Sequence, residues 1–228
     1  MSSHIVTGIG LSVIVLVALV LLLVFNELVY RRLGLKGEFT RKFAHLCATL
    51  TTIIFPYLFD DHWYVLALAI VFFVLLYGSR NRAYLKSIHD VPRLSSGSFL
   101  LPPAIYLTFL AAHLIEDRFF FILPILVLAI CDPVAGILGI NLQEYNRRIR
   151  IFGHTLHKTW LGSGAFFVSC LLISVVGLYF RYMQLNLELL GIAVLVATTG
   201  TIVEMLSWKG IDNLLIPMSV LAVLLLTL

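Results

Sequence analysis

The chain has 228 residues, 61% hydrophobic and only 12% charged, with a formal net charge of +4. A soluble domain carries about 25% charged residues, so composition excludes one, and repeated apolar runs of about 20 residues favour membrane helices over a barrel. The basic excess follows membrane topology rather than a nucleic-acid footprint, and Cys47, Cys131 and Cys170, all in or beside apolar segments, imply no disulfide framework.

Eight apolar segments follow one another: Ile5–Phe25, Phe43–Phe59, Trp63–Tyr77, Ser98–Ile115, Phe119–Ile140, Trp160–Phe180, Leu189–Leu206 and Ile211–Leu228. The third is short and the last begins with polar residues, so seven or eight transmembrane helices are expected. The fold class is all-α, a polytopic membrane helix bundle forming one domain over residues 1–228. The first run lacks a basic leader and a small-residue cleavage site, and is expected to stay as a helix. No repeat of 20–50 residues, low-complexity tract or soluble domain interrupts the series.

The loops alternate in charge. Arg31, Arg32, Lys36, Arg41 and Lys42 follow the first span, and Arg80, Arg82, Lys86 and Arg93 the third. Arg147, Arg148, Arg150 and Lys158 follow the fifth, and Lys209 the seventh, so fourteen of the sixteen basic residues fall on one side. Arg118 and Arg181 alone lie on the other. The positive-inside rule places the four basic loops in the cytoplasm and both termini outside.

The unusual polar residues gather on that basic side. Asp132 sits inside a hydrophobic run, where a carboxylate costs at least ~2.5–3.5 kcal/mol and marks a functional site by default. On a helix it shares a face with Ala135, Gly136 and Gly139, a strip of small residues that another backbone or a ligand can approach. Pro133 beside it frees a backbone carbonyl. Lys158 precedes Gly162-Ser163-Gly164 at a helix start, a natural place for a phosphate. Arg41, His45, Thr49 and Thr52 form a polar stripe running into the membrane. Glu204 ends the seventh span on a face with Ala197 and Gly200, and Asp212-Asn213 opens the eighth. Residues 79–92, with Arg80, Arg82, Tyr84, Leu85, Lys86 and Ile88, suit an interface beside anionic headgroups.

Each signal has a plainer reading when taken alone. Arg41 and Lys42 resemble stop-transfer flanks, His45 a histidine joining helices, Ser163-Gly164 a packing motif, and Asp212 a helix cap. Asp60-Asp61-His62 and Glu116-Asp117 fall in short turns on the other side and are expected to be solvated. Coincidence on one side is what argues for a site.

Three acids, a lysine, two arginines and a glycine-rich helix start match the needs of phosphoryl transfer. Asp132 and Glu204, with Asp212, suit Mg²⁺, and Lys158 with the Gly162 and Ser163 amides suits the phosphates. His45 or Asp132 could serve as base for an acceptor hydroxyl. A site embedded in the membrane implies a lipid acceptor entering from the bilayer. The Walker A pattern and the protein-kinase catalytic loop are both absent.

RKFAH (Arg41–His45), DPVAGILG (Asp132–Gly139), KTWLGSGA (Lys158–Ala165) and EMLSWKGIDNLLIP (Glu204–Pro217) together give the chain its family resemblance. Over roughly residues 41–217 it resembles the polyprenol kinase family, which holds phytol, farnesol and dolichol kinases and a CTP-dependent diacylglycerol kinase. That family looks related to the CTP:phosphatidate cytidylyltransferases. The resemblance implies a multi-pass enzyme that uses CTP, or another nucleoside triphosphate such as ATP, with Mg²⁺ to phosphorylate a lipid alcohol on the cytoplasmic side. It implies Asp132, His45 and Lys158 as catalytic residues, and Asp132, Glu204 and Asp212 as metal ligands. Arg41, Lys42, Lys158, Thr159, Gly162, Ser163 and Asn213 would meet the nucleotide.

The chain departs from the family pattern at Pro133, where many relatives have alanine, and at His154 and His157, which replace a basic-glycine run. It also lacks the long N-terminal membrane region of the dolichol kinases, which points to the short phytol-kinase-like branch. The competing expectations are a cytidylyltransferase making a CDP-lipid and a transporter using Asp132 and Glu204. The transporter is disfavoured because no paired repeat is visible.

Overall fold

The apolar runs are long and nearly unpunctuated, and in lipid every backbone amide must be satisfied within its own segment. The computed structural model, which describes residues 2–34, 37–81, 85–89, 96–141, 147–151 and 154–228, accordingly is helical almost throughout. The helices are α1 (Ser2–Leu33), α2 (Gly37–Thr52), α3 (Phe55–Leu58), α4 (His62–Asn81), α5 (Lys86–His89), α6 (Gly97–Ile115), α7 (Phe119–Asn141), α8 (Trp160–Tyr182), α9 (Leu187–Leu206) and α10 (Asp212–Thr227). Among the described residues, α1, α4, α6, α7, α8 and α9 are the six helices long and apolar enough to cross a membrane. The chain is a multi-pass membrane bundle. The other two expected spans form shorter helices, α2 and α10, of 16 residues each.

Two expectations about local structure change. Phe43–Phe59 is not one continuous helix: α2 stops at Thr52, and α3 starts anew with proline at its first turn. Pro56 has no N–H to bond Thr52 O and so cannot continue α2, whereas the first turn of α3 accepts it because an amide there would have no intrahelical partner. The loop before Lys158 contains an antiparallel hairpin, β1 (Arg148–Ile151) and β2 (His154–Thr159), with an irregularity between Arg148 and Arg150. Ile149 of β1 is fully buried and Trp160 N donates to Arg147 O at 3.2 Å, which anchors the hairpin at the start of α8.

α7 is the central helix. Phe121, Ile125, Val127, Leu128 and Cys131 are all inaccessible, and α8, α2, α10 and α6 pack around it. By contrast α1 shows most of its surface outward and buries a stripe through Gly8, Val15, Leu19, Leu23 and Asn26, the pattern of a helix at the edge of a bundle. Of the expected interface segment, residues 82–84 and 90–92 lie outside the described residues. Ser87 and Ile88 turn inward: Ser87 N donates to Glu27 Oε2 at 2.9 Å, Thr40 Oγ1 donates to Ser87 O at 2.9 Å, and Ile88 is buried.

The two ends of the bundle carry different fastenings. At one end the α9–α10 turn passes through Lys209 at φ 51° and Gly210 at φ 91°, a conformation glycine adopts without strain. Ser96 Oγ donates to Lys209 O at 2.8 Å and Asn213 Nδ2 donates to Gly97 O at 2.8 Å, which bolts this turn to the start of α6. At the other end Arg181 clasps Asp117 through Nη1–Oδ1 at 2.8 Å and Nη2–Oδ2 at 2.6 Å.

Candidate active site

Asp132 projects from the middle of α7, buried to all but 3% of its surface. Its carboxylate meets Lys42 of α2, whose Nζ bonds Asp132 Oδ2 and also reaches Asp132 O at 3.3 Å. The small-residue strip explains how a lysine gets there. A Cβ on Gly136 would stand 2.8 Å from Lys42 Cε, so glycine at this position clears the lane along which the lysine stem runs. One turn on, Gly139 and Gly162 let α7 and α8 touch; a Cβ on Gly162 would stand 2.9 Å from Ala135 O. His45, one turn after Lys42 on α2, places Nε2 3.9 Å from Asp132 Oδ2, too far for a hydrogen bond. That nitrogen is buried and has no partner.

A second charged group lies where β2, α8, α9 and α10 meet. Lys158 Nζ lies 2.6 Å from Glu204 Oε1 and 3.1 Å from Asp212 Oδ2. Ser163 Oγ donates to Glu204 Oε2 at 2.9 Å, so both oxygens of that buried carboxylate are engaged. Burial works against the charge on Lys158, but Asp212 and Glu204, with Asp132, outweigh it and hold the ammonium pKa above the ordinary lysine value. Lys158 thus favours its charged form and contacts two acids, Glu204 and Asp212.

The remaining expected residues are accounted for one by one. Thr159 caps α8, its Oγ1 accepting from Gly162 N at 3.2 Å, so this amide already has a partner. Asn213 is buried and gives its side-chain amide to Gly97 O, a fastening between α6 and α10. Arg41 is half-buried beside Lys42 at the mouth of the same cavity. The expected metal ligands Asp132, Glu204 and Asp212 do share this end of the bundle, but each faces a lysine ammonium. Among the described residues no three His, Cys, Asp or Glu side chains are grouped to hold a metal ion. In this arrangement the donor set does not fit a divalent cation, because Lys158 Nζ occupies the position between Glu204 and Asp212.

A cleft runs from the charges in between apolar helix faces. Its polar end is formed by Arg41, Lys42, His45, Asp132, Asp212 and Asn213. Its walls are apolar, with Leu19 and Leu23 of α1, Leu68 and Phe72 of α4, and Leu101 and Ile105 of α6. The empty space within it, its open mouth included, is about 1030 Å³. Ligand sites are typically apolar concavities with a few convergent polar groups, and His45 Nε2 adds an unsatisfied one.

Sequence reasoning placed Lys42 near a nucleotide and did not find it as the partner of Asp132. The signal was Gly136, whose missing side chain is explained only by something passing over it. The Ser163–Glu204 bond and the cavity walls had no comparable signal, since they depend on how helices distant in sequence are arranged. No family model, curated protein or solved structure matches the chain.

Proposed function

We propose that this protein is a lipid-alcohol kinase, moving the γ-phosphoryl group of CTP or another nucleoside triphosphate to the hydroxyl of a membrane alcohol. The observation that carries the reading is the apolar cavity ending on the buried Asp132 carboxylate, its partner Lys42 and an unpartnered histidine nitrogen. An isoprenoid alcohol such as phytol, farnesol or a polyprenol, or diacylglycerol, has the matching form: an apolar body with one reactive hydroxyl.

In this reading the chain lies along Leu19, Leu68 and Leu101, and the hydroxyl stops between His45 and Asp132. His45 Nε2 takes the hydroxyl proton as the new O–P bond forms and the bond to the leaving diphosphate breaks. Asp132, fixed by Lys42, orients the hydroxyl and stabilises the imidazolium that results. Lys158 and Lys42 face the transferred phosphoryl group and offset its charge. Magnesium, expected from the family resemblance, has no step assigned to it, because its expected ligands are engaged by the two lysines. The excess of basic residues at this end of the bundle supports a cytoplasmic orientation, the side on which nucleotides are found.

The test is a transfer assay in detergent with Mg²⁺ present. CTP or ATP labelled at the α or γ position is offered with phytol, farnesol, undecaprenol, diacylglycerol or phosphatidate. Movement of γ-label to an alcohol is the expected result. Movement of α-label to phosphatidate would make the protein a CDP-lipid synthase. No transfer and no nucleotide binding by folded protein would leave a transporter as the better account.

A further inference from the structure

The residues lining the cavity reach Thr52 and Phe55, on either side of the α2–α3 break, and Val65 of α4, and none lies beyond them toward that end of the bundle. All three are buried, with Phe55 at 2% and Val65 at 1% exposure. Thr52 Oγ1 donates to Thr49 O at 2.7 Å, so this end presents no free polar group from that side chain. This end is also braced from behind. Phe55 meets the edge of Phe59 with ring centroids 5.5 Å apart, Phe59 stacks on Tyr64 at 6.0 Å, and Tyr64 packs directly against Gly8 of α1.

The distance from head to floor follows from helix geometry. Arg41 to Thr52 on α2 and Leu76 to Val65 on α4 are both eleven residues, or about 16 Å at 1.5 Å per residue. That is about half of the ~30 Å hydrocarbon core. We infer that Phe55 and Val65 form the floor of an acceptor slot and set the greatest chain length the protein accepts with the hydroxyl seated at His45 and Asp132. The inference rests on the kinase reading for the identity of the acceptor, and on the cavity alone for the ruler.

Lipid tails gain little on leaving one apolar medium for another, so length should not be selected until the chain meets the floor. Methylenes beyond that point must buckle the chain or overfill a closed space, which lowers affinity by about tenfold. The test measures binding of saturated straight-chain primary alcohols in mixed micelles at fixed mole fraction, alongside γ-phosphate transfer to the same series. The wild type is expected to hold a plateau and then drop at one length. Phe55→Leu and Val65→Ala each move the drop to longer alcohols, and Ala69→Phe, one turn above the floor, moves it to shorter ones.

Transfer with an unchanged length limit in all three folded variants would overturn the ruler and leave the kinase standing. Binding whose limit shifts as described, with no transfer from any nucleotide, would overturn the kinase and leave the ruler. Absence of saturable binding at every length would overturn both.

Discussion

Both ends of the bundle are fastened by charge, but in different ways. At the Asp117 end, Arg181 forms a two-pronged pair whose side chains are 25% and 26% exposed. Arg118 covers Tyr57 at 4.6 Å, and His62 Nδ1 lies 3.3 Å from Tyr106 Oη. Each of these charges lies against an opposite charge or a ring, although Arg181 Nε itself makes no hydrogen bond, and the arrangement closes turns. At the Asp132 end the carboxylates of Asp132 and Glu204 are 4% and 3% exposed, two lysines serve three acids, and His45 Nε2 is left without a partner. Water-facing charges that satisfy one another cap helices. The charges at the Asp132 end are buried and border an apolar cavity, and on the proposed reading that cavity is where the acceptor sits.

The largest effect expected from this contrast is on turnover. Asp132→Asn should lower phosphoryl transfer by about 10³-fold or more while the protein still inserts and elutes as a folded species, since it loses its anion beside the reacting hydroxyl. Retention of wild-type rates would detach Asp132 from the chemistry. Lys158→Ala should cost about 3–5 kcal/mol of stability, because it leaves Glu204 and Asp212 buried without their cation. Thermal unfolding in detergent measures it, and a change under 1 kcal/mol would mean the acids are better solvated than their burial implies.

His45→Gln separates function from stability most sharply. Its Nε2 makes no bond, so Tm should hardly move while transfer falls by about 10²-fold. The reverse pattern, a lower Tm with full activity, would make His45 a structural residue. At the other end Arg181→Ala should cost only about 1 kcal/mol and leave transfer unchanged.

Acidity probes the two ends separately. The Arg181 hydrogen bonds hold the Asp117 carboxyl below the usual carboxylate range. Its contribution to stability is present above the unfolded pKa and is lost as pH falls through the lower folded value. Lys158 has the opposite sign: its raised pKa stabilises fully below the ordinary lysine value, with loss as pH rises through the folded one. A melting series should therefore show an acid limb that Asp117→Asn flattens and an alkaline limb that Lys158→Ala flattens.

Helix positions were legible because membrane helices are written in composition: every apolar run but Phe43–Phe59, which is broken in two, became one helix, and Glu204 and Asp212 came together at one end. The hairpin was missed although RIRI alternates, since a strand of four residues cannot be told from a basic loop without its partner. The break after Thr52 was signalled by Pro56 but outweighed by the apolar run around it. The Lys42–Asp132 pair joins residues ninety positions apart, and no local pattern encodes that distance. Asn213 and Gly162 stood out as ligand-binding candidates in the sequence, and the structure gives both a further task in holding helices together.

The shortness of α2 and α10 has a consequence for the surrounding bilayer. At 16 residues each spans about 24 Å, less than the ~30 Å hydrocarbon core, and each carries apolar side chains on its outer face, Phe39 and Leu50 on α2 and Leu215 and Leu226 on α10. Such a mismatch is relieved when lipid thins around the helix. These two helices carry Lys42 and His45 on one hand and Asp212 on the other, so the dimple forms beside the polar mouth of the cavity. On the kinase reading, thinner lipid at that place would shorten the distance between an aqueous nucleotide and a lipid acceptor.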